Sequence, residues 1–232
     1  MFHEDAIRNA AIGLHEPADS TGNGTAAEQV YELLRSLIVT GALPPGTPLD
    51  QHRLAALLEI SRTPLRHALS RLSQDGLVQT KARSGARVAS LSRVEAKELY
   101  ALRAAIEPLA AKNASLAANA DEIARLRRLN TEMSLAINER RYNDFVVHDR
   151  TFHRHLYAPA TFARTKRYIE QLRDASDRYV RAYALHSADS STSVEEHEAI
   201  LQAYEYRELD ELGQLISAHV ERGAKMLLDL ID

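Results

Sequence analysis

The chain has 232 residues, a net charge of −3 and no cysteine. That length is enough to bury a core in each of two domains, while the missing thiols exclude disulfides and thiolate metal sites. No apolar run approaches the ~20 residues that cross a bilayer, and the first residues lack a secretory pattern, so a cytoplasmic protein with no membrane partner is expected.

The small net charge hides a segregation. Residues 1–25 carry one basic and four acidic side chains, residues 26–90 eight and five, and residues 91–232 twenty and twenty-three. Only the middle segment is positive. Its excess is modest, and it points to nucleic acid because Arg62, Arg66, Lys81, Arg83 and Arg87 fall in elements that can share one side.

Residues 1–24 combine Asp19-Ser20-Thr21-Gly22-Asn23-Gly24 with little apolar content, and a mobile tail is expected there. Residues 25–90 form the next unit. Ala27, Val30, Leu34, Leu37 and Ile38 repeat at helical spacing until Gly41 stops them. Pro44-Pro45-Gly46 makes a turn, and residues 51–58 give a short second helix with Leu54, Leu57 and Leu58 inward. Ser61 is a good N-cap for a third helix, and Pro64 is tolerated in its first turn. Leu65, Ala68, Leu69 and Leu72 share the inward face of that helix, which leaves Arg62, Thr63 and Arg66 outward.

Two helices joined by a tight turn, the second showing its first turn to solvent, make a helix-turn-helix. Two guanidiniums and a hydroxyl at a positive helix end suit phosphates and the paired acceptors of guanine. Taken alone, the third helix reads better as an ordinary amphipathic helix with a solvated basic face. Gly76 ends it. Val78 and Thr80, then Ala86 and Val88, alternate with polar neighbours on either side of Lys81-Ala82-Arg83-Ser84-Gly85. This predicts a two-stranded hairpin with a basic tip, a wing that contacts DNA through Lys81, Arg83 and Gly85.

From residue 91 to 232 every pattern is helical. Ser92 and Glu95 form a capping box, and Leu99, Leu102, Ile106 and Leu109 continue a stripe in which Pro108 should kink or divide the helix. Further helices are predicted from Asp121, from Asn143, from Thr161 to about Leu185, from Val194 to Tyr206 and from Glu208 to Ile231, with Ser187–Ser193 as a polar loop. The fold class is mainly α: a winged helix-turn-helix followed by an antiparallel bundle of six or seven helices.

Within the bundle, Asp149 and His153 lie four apart on one helical face. His197 and His219 come from the last two helices, and facing helices bring such side chains to one interior point. One carboxylate and three imidazoles suit Zn, Ni, Mn or Fe. Spacing alone leaves open the alternative of separate, satisfied histidines, as expected for His148, His155 and His186.

The run through Tyr31, Gly41, Pro45-Gly46, Leu54-Ala55, Ser61-Arg62-Thr63-Pro64-Leu65-Arg66, Ala68-Leu69, Leu72 and Gly76-Leu77-Val78 resembles the winged helix of GntR-type bacterial transcription regulators. Glu59 stands where that family usually has a turn glycine, so a left-handed residue is expected there. His52-Arg53 replaces a more usual acidic start to the second helix. Leu102-Arg103, Ile106-Glu107, Asp149-Arg150-Thr151-Phe152-His153, Glu196-His197, Ile200 and His219 resemble the all-helical (FCD-type) effector domain of the FadR-like branch. Ala158-Pro159-Ala160-Thr161 departs from the Gly-Asn turn common there.

The resemblance implies a divalent metal, Zn, Ni or Mn, held by Asp149, His153, His197 and His219. A dication with one carboxylate leaves a positive interior that favours an anion. Arg103 is the expected partner of a small carboxylate effector, with an intrahelical pair to Glu107 as the alternative. The expected function is a ligand-responsive repressor acting as a homodimer on a palindromic double-stranded operator. The competing reading is a metal-dependent phosphohydrolase built on the His148-Asp149 doublet.

Overall fold

The structure, a computed structural model, describes residues 4–11, 25–81, 85–183 and 190–231. The chain divides into two compact units, Met1–Leu91 and Ser92–Asp232.

In the first unit, α1 (Glu4–Ala10) precedes α2 (Ala26–Val39), β1 (Pro48–Leu49), α3 (Gln51–Leu57), α4 (Arg62–Gln74), β2 (Val78–Lys81) and β3 (Gly85–Val88). The expectation of a mobile tail over residues 1–24 needs correction at α1. Ile7 and Ala11, one helical turn apart, are 1% and 5% exposed and join the core of Val30, Leu34 and Leu54. A single apolar pair on a two-turn helix is too short a period to stand out in sequence. Residues 12–24 lie outside the described residues.

α2 is capped by Thr25, whose hydroxyl accepts from Glu28 N. α3 is capped by Asp50 in the same way. Glu59 has φ 52, the expected left-handed conformation, and Ile60 N donates to Ala55 O at 3.1 Å across it. That bond closes the α3 end and sets the turn into α4. The sheet has three strands in the order β1-β3-β2, all antiparallel, where two were expected. The added strand is only Pro48–Leu49, paired with Arg87 and Ala86, and two residues carry no alternation to read.

In the second unit, α5 (Arg93–Ala117), α6 (Ala120–Asn138), α7 (Tyr142–Tyr157), α8 (Ala163–Tyr183), α9 (Ser190–Tyr206) and α10 (Leu209–Leu230) make the bundle, six helices among the described residues. α5 packs on α10, α8 and α7, and α6 packs on α7 and α9. Pro108 does not divide α5, which runs for 25 residues through it. Tyr100, Arg103 and Glu107 before the proline, and Ala110, Ala111 and Ala114 after it, form one buried face. Packing on both sides of the proline outweighs the roughly 3 kcal/mol that an interior proline costs.

α6 starts one residue earlier than expected, behind a reciprocal capping box of Asn119 and Glu122. Ser190–Ser193, expected in a loop, forms the first turn of α9, and residues 187–189 lie outside the described residues. Serine's helix penalty is only ~0.5 kcal/mol relative to alanine, small enough for tertiary contacts to override. The core beneath these helices includes Leu126, Met133, Phe152, Leu156, Ile200, Leu201, Leu212 and Ile216. No helix among the described residues is long and apolar enough to cross a membrane.

Candidate metal centre and nucleic-acid interface

Three helices deliver the bundle's histidines to one point. Phe152, Leu156 and Tyr157 anchor the inner face of α7, which carries Asp149 and His153 inward. Ile200 and Leu201 anchor α9 beside His197, and Ile216 and Val220 anchor α10 on either side of His219. The Nε2 atom of His153 lies 3.3 Å from His197 Nε2 and 3.2 Å from His219 Nε2. Asp149 Oδ1 is 3.8 Å from His153 Nε2 and 3.6 Å from His197 Nε2. All four predicted ligands are therefore neighbours, although they span 71 positions of the sequence.

This packing is awkward for the side chains alone. Adjacent imidazole nitrogens tolerate contact only if one donates and the other accepts, and Nδ1 of both His153 and His197 is buried without a hydrogen-bond partner. Burial, helped by the Arg173 charge and the neighbouring imidazoles, holds His153 and His197 well below the ordinary histidine range. Burial takes His219 down to about 4 despite the opposing charge of Asp149. The neutral imidazoles thus keep lone pairs, which is what a cation requires. Two nitrogens bound at about 2.0–2.1 Å in tetrahedral geometry sit about 3.3 Å apart, so the observed separations fit a shared ion. His219 Nδ1 is 2.7 Å from Glu196 Oε2, and Glu196 also pairs with Arg222. Burial raises the Asp149 carboxyl, with Arg173 and His219 opposing.

Beside the histidines is a cavity of about 120 Å³ lined by Tyr100, Arg103, Asp149, Arg173, His219 and Arg222, among others. Arg103 does reach it, and also makes the alternative contact: its Nε donates to Glu107 Oε1 at 2.7 Å and its Nη1 to Ser176 Oγ at 3.0 Å. Arg173, which the sequence did not single out, adds a second guanidinium 3.3 Å from Glu107 Oε2. Tyr157 OH donates to the same carboxylate at 2.7 Å. Burial alone would raise Glu107, yet Arg103 and then Arg173 hold it down to about 2. The cavity that these two guanidiniums face is also lined by the carboxylates of Asp149 and Asp177. The signal for Arg173 was its place on the Ile169–Arg173–Ser176 face, at spacings of four and three.

His148 does not join this group. Its Nδ1 lies 3.2 Å from Glu132 Oε2, on the α6 side of α7. His155 Nδ1 contacts Thr151 O at 2.8 Å, and His186 lies outside the described residues.

In the first unit, Arg62, Thr63 and Arg66 are all exposed on α4, while Leu65, Ala68, Leu69 and Leu72 are buried. Neither Arg62 nor Arg66 has an ion-pair partner among the described residues. Arg71 is different: it pairs with Glu28 at 2.6 Å and stacks 3.8 Å over the Tyr31 ring, tying α4 to α2. Gly85 opens β3 at φ 75. Arg83 and the side chain of Lys81 lie outside the described residues. A helix-turn-helix with two uncommitted arginines on its second helix, followed by a hairpin, has the geometry of a duplex reader.

Family comparison matches residues 26–88 to the bacterial regulatory proteins of the gntR family and residues 98–222 to the FCD domain. An HTH-type regulator, BphR of Paraburkholderia xenovorans, is 30% identical over 201 residues, 84% of this chain and 82% of that protein. The chain belongs to the GntR family of bacterial transcription regulators, with an FCD domain.

Other relatives of this GntR protein include the repressor RspR of Escherichia coli, 26% identical over 84% of this chain and 85% of that one. The Nta operon regulator of Aminobacter aminovorans is 30% identical over 81% and 87%. The E. coli McbR/YncC structure superposes with a TM-score of 0.79 at 20% identity, covering 90% of this chain and all of that one, which shows the shared fold. As a GntR-family regulator the protein binds DNA. The phosphohydrolase alternative falls with the relatives, which are regulators, and with His148, which is directed away from the histidine cluster.

Proposed function

We propose that this GntR-family protein is a ligand-responsive repressor whose FCD domain holds one divalent metal through Asp149, His153, His197 and His219. The observation that carries this is the convergence of three buried Nε2 atoms, two pairs of them 3.2–3.3 Å apart. Three nitrogens and one carboxylate oxygen suit Zn, Ni or Mn. Bound there, the metal supplies a positive centre that coordinates an oxygen anion.

The protein's own groups define the effector. Arg103 and Arg173 bring two guanidiniums to the cavity beside the metal position, so with the metal bound a small carboxylate is the ligand the site favours. Tyr157 and Ser176 hold that arginine pair in place through Glu107 and Arg103. The cavity walls come from α5, α7, α8, α9 and α10, so an occupant touches most of the bundle. Its differential affinity for two packings of these helices sets how far it can shift the DNA-binding units.

On DNA, Arg62, Thr63 and Arg66 of α4 enter the major groove, and the wing, with Lys81, Arg83 and Gly85, contacts the backbone or minor groove. One recognition helix per chain implies a homodimer on a palindrome. Repression as the outcome is proposed by analogy with RspR, a transcriptional repressor.

Titrating DNA from upstream of the protein's own gene, with the metal-loaded protein and a panel of small mono- and dicarboxylates, tests the whole reading. Salt-dependent binding that at least one carboxylate weakens is expected. Binding indifferent to every carboxylate and to metal removal would contradict the effector part.

A further inference from the structure

Arg173 and Asp177 lie one turn apart on α8, a spacing of about 5–6 Å between Cβ atoms at which opposite charges ordinarily pair. They make no ion pair with each other. Arg173 is drawn to Glu107 of α5, 3.3 Å away, and Asp177 to Arg150 of α7, whose Nε is 3.3 Å from Oδ2. Both side chains line the cavity beside the histidines, so one turn of one helix gives that space both a cation and an anion.

Asp177 is the less satisfied of the two. Its partner Arg150 is shared, with Nη2 2.9 Å from Asp174 Oδ1. The contact to Asp177 lacks hydrogen-bond geometry, and Oδ2 is buried without a hydrogen-bond partner. The side chain as a whole is still 15% exposed, which leaves Oδ1 as the oxygen turned to the open space, and Oδ1 accepts no hydrogen bond among the described residues. Asp149, the other carboxylate in the wall, lies 3.6–3.8 Å from two imidazole nitrogens and belongs to the metal centre.

A ligand carrying only a carboxylate would suit the guanidiniums and be repelled by Asp177. A hydroxyl would give that oxygen one donor and leave the repulsion in place. An ammonium gives up to three donors and cancels the repulsion. Phe145, Val180, Val220 and Leu227 form an apolar part of the wall that suits a short side chain.

We propose that the effector is a zwitterion, an α-amino acid, whose carboxylate is received by Arg103 and Arg173 and whose ammonium is received by Asp177. This rests on the carboxylate reading above and narrows it to one class, with Asp177 as the residue that selects the amine. The two charges of such a ligand leave one carbon, which matches two receiving residues one turn apart.

Calorimetric titration of the full-length, metal-loaded protein with matched triplets tests this: L-alanine against L-lactate and propionate, L-valine against 2-hydroxyisovalerate and isovalerate, and L-aspartate against L-malate and succinate. In at least one triplet the amino acid should bind about tenfold or more tighter than both analogues. Metal content measured before and after separates binding from removal of the ion. Asp177→Asn should bring the amino acid down to the affinity of the amine-free acid and leave the latter unchanged, which also shows that the variant is folded. Amine-free acids that match the amino acid in every triplet would overturn the zwitterion and leave the carboxylate reading standing. No binding in any triplet would contradict that reading itself, and the zwitterion with it. A loss in Asp177→Asn shared equally by all three ligands of a triplet would make Asp177 a support for Arg150 and overturn its selecting role.

Discussion

Glu196 Oε2 sits 2.7 Å from Nδ1 of His219, on the side of the ring opposite the Nε2 that faces His153. The carboxylate fixes which nitrogen of His219 carries the proton and leaves Nε2 as the donor. His153 and His197 have no such partner. His219 is therefore the most firmly oriented of the three, and Arg222, which pairs with Glu196 and lines the cavity, links its orientation to the ligand space.

Replacing Glu196 with Gln should lower metal affinity by about 10–100-fold with no change in fold, as loss of such an outer partner generally does. Competition against a chelator of known affinity measures it. An unchanged dissociation constant would make Glu196 a bystander.

Arg66→Ala should cost about 1–3 kcal/mol on the operator and much less on random DNA, since a two-donor base contact discriminates while phosphate contacts do not. Anisotropy titrations on both duplexes, at several salt concentrations, separate the two. Equal losses would reassign Arg66 to the phosphate backbone.

Glu107→Gln should destabilise the bundle by about 3–5 kcal/mol at neutral pH, because it leaves Arg103 and Arg173 buried together without their shared anion. The sign of the pH effect follows from a carboxyl lowered from 4.5 to about 2 in the folded chain. Its contribution is complete above pH 4.5 and fades as pH falls toward 2, so the gap between wild type and variant should narrow across that window in denaturant titrations. A gap that stayed constant down to pH 2 would mean that the carboxylate charge is not what stabilises the cluster.

Glu59, held at φ 52 between α3 and α4, should gain about 1 kcal/mol on replacement by Gly, which tolerates that conformation without a Cβ clash. Urea midpoints compare the two. A loss of stability would show that the Glu59 side chain makes a compensating contact.

Much of this molecule was legible in its residues because the relevant signals are periodic or locally paired. Asp149 and His153 share a helical face by spacing, and the buried Leu65–Leu72 pattern left Arg62 and Arg66 exposed by subtraction. What escaped was short or context-dependent. α1 presents one apolar pair, β1 two residues, and Ser190–Ser193 turns helical against propensity. Arg173 sits on a helix that also carries Arg164, Arg167, Arg178 and Arg181, so its burial beside Glu107 is decided by packing rather than composition. Pro108 failed as a breaker for the same reason: both of its flanks are held by one buried face.

Metal content per chain tests the account most directly. Purified wild-type protein, exposed to Zn, Ni or Mn and then desalted, should retain about one ion per chain, and His197→Ala, His153→Ala and His219→Ala should each release it while staying folded. Full retention in those variants, or none in the wild type, would contradict the reading of the buried histidines as a metal centre.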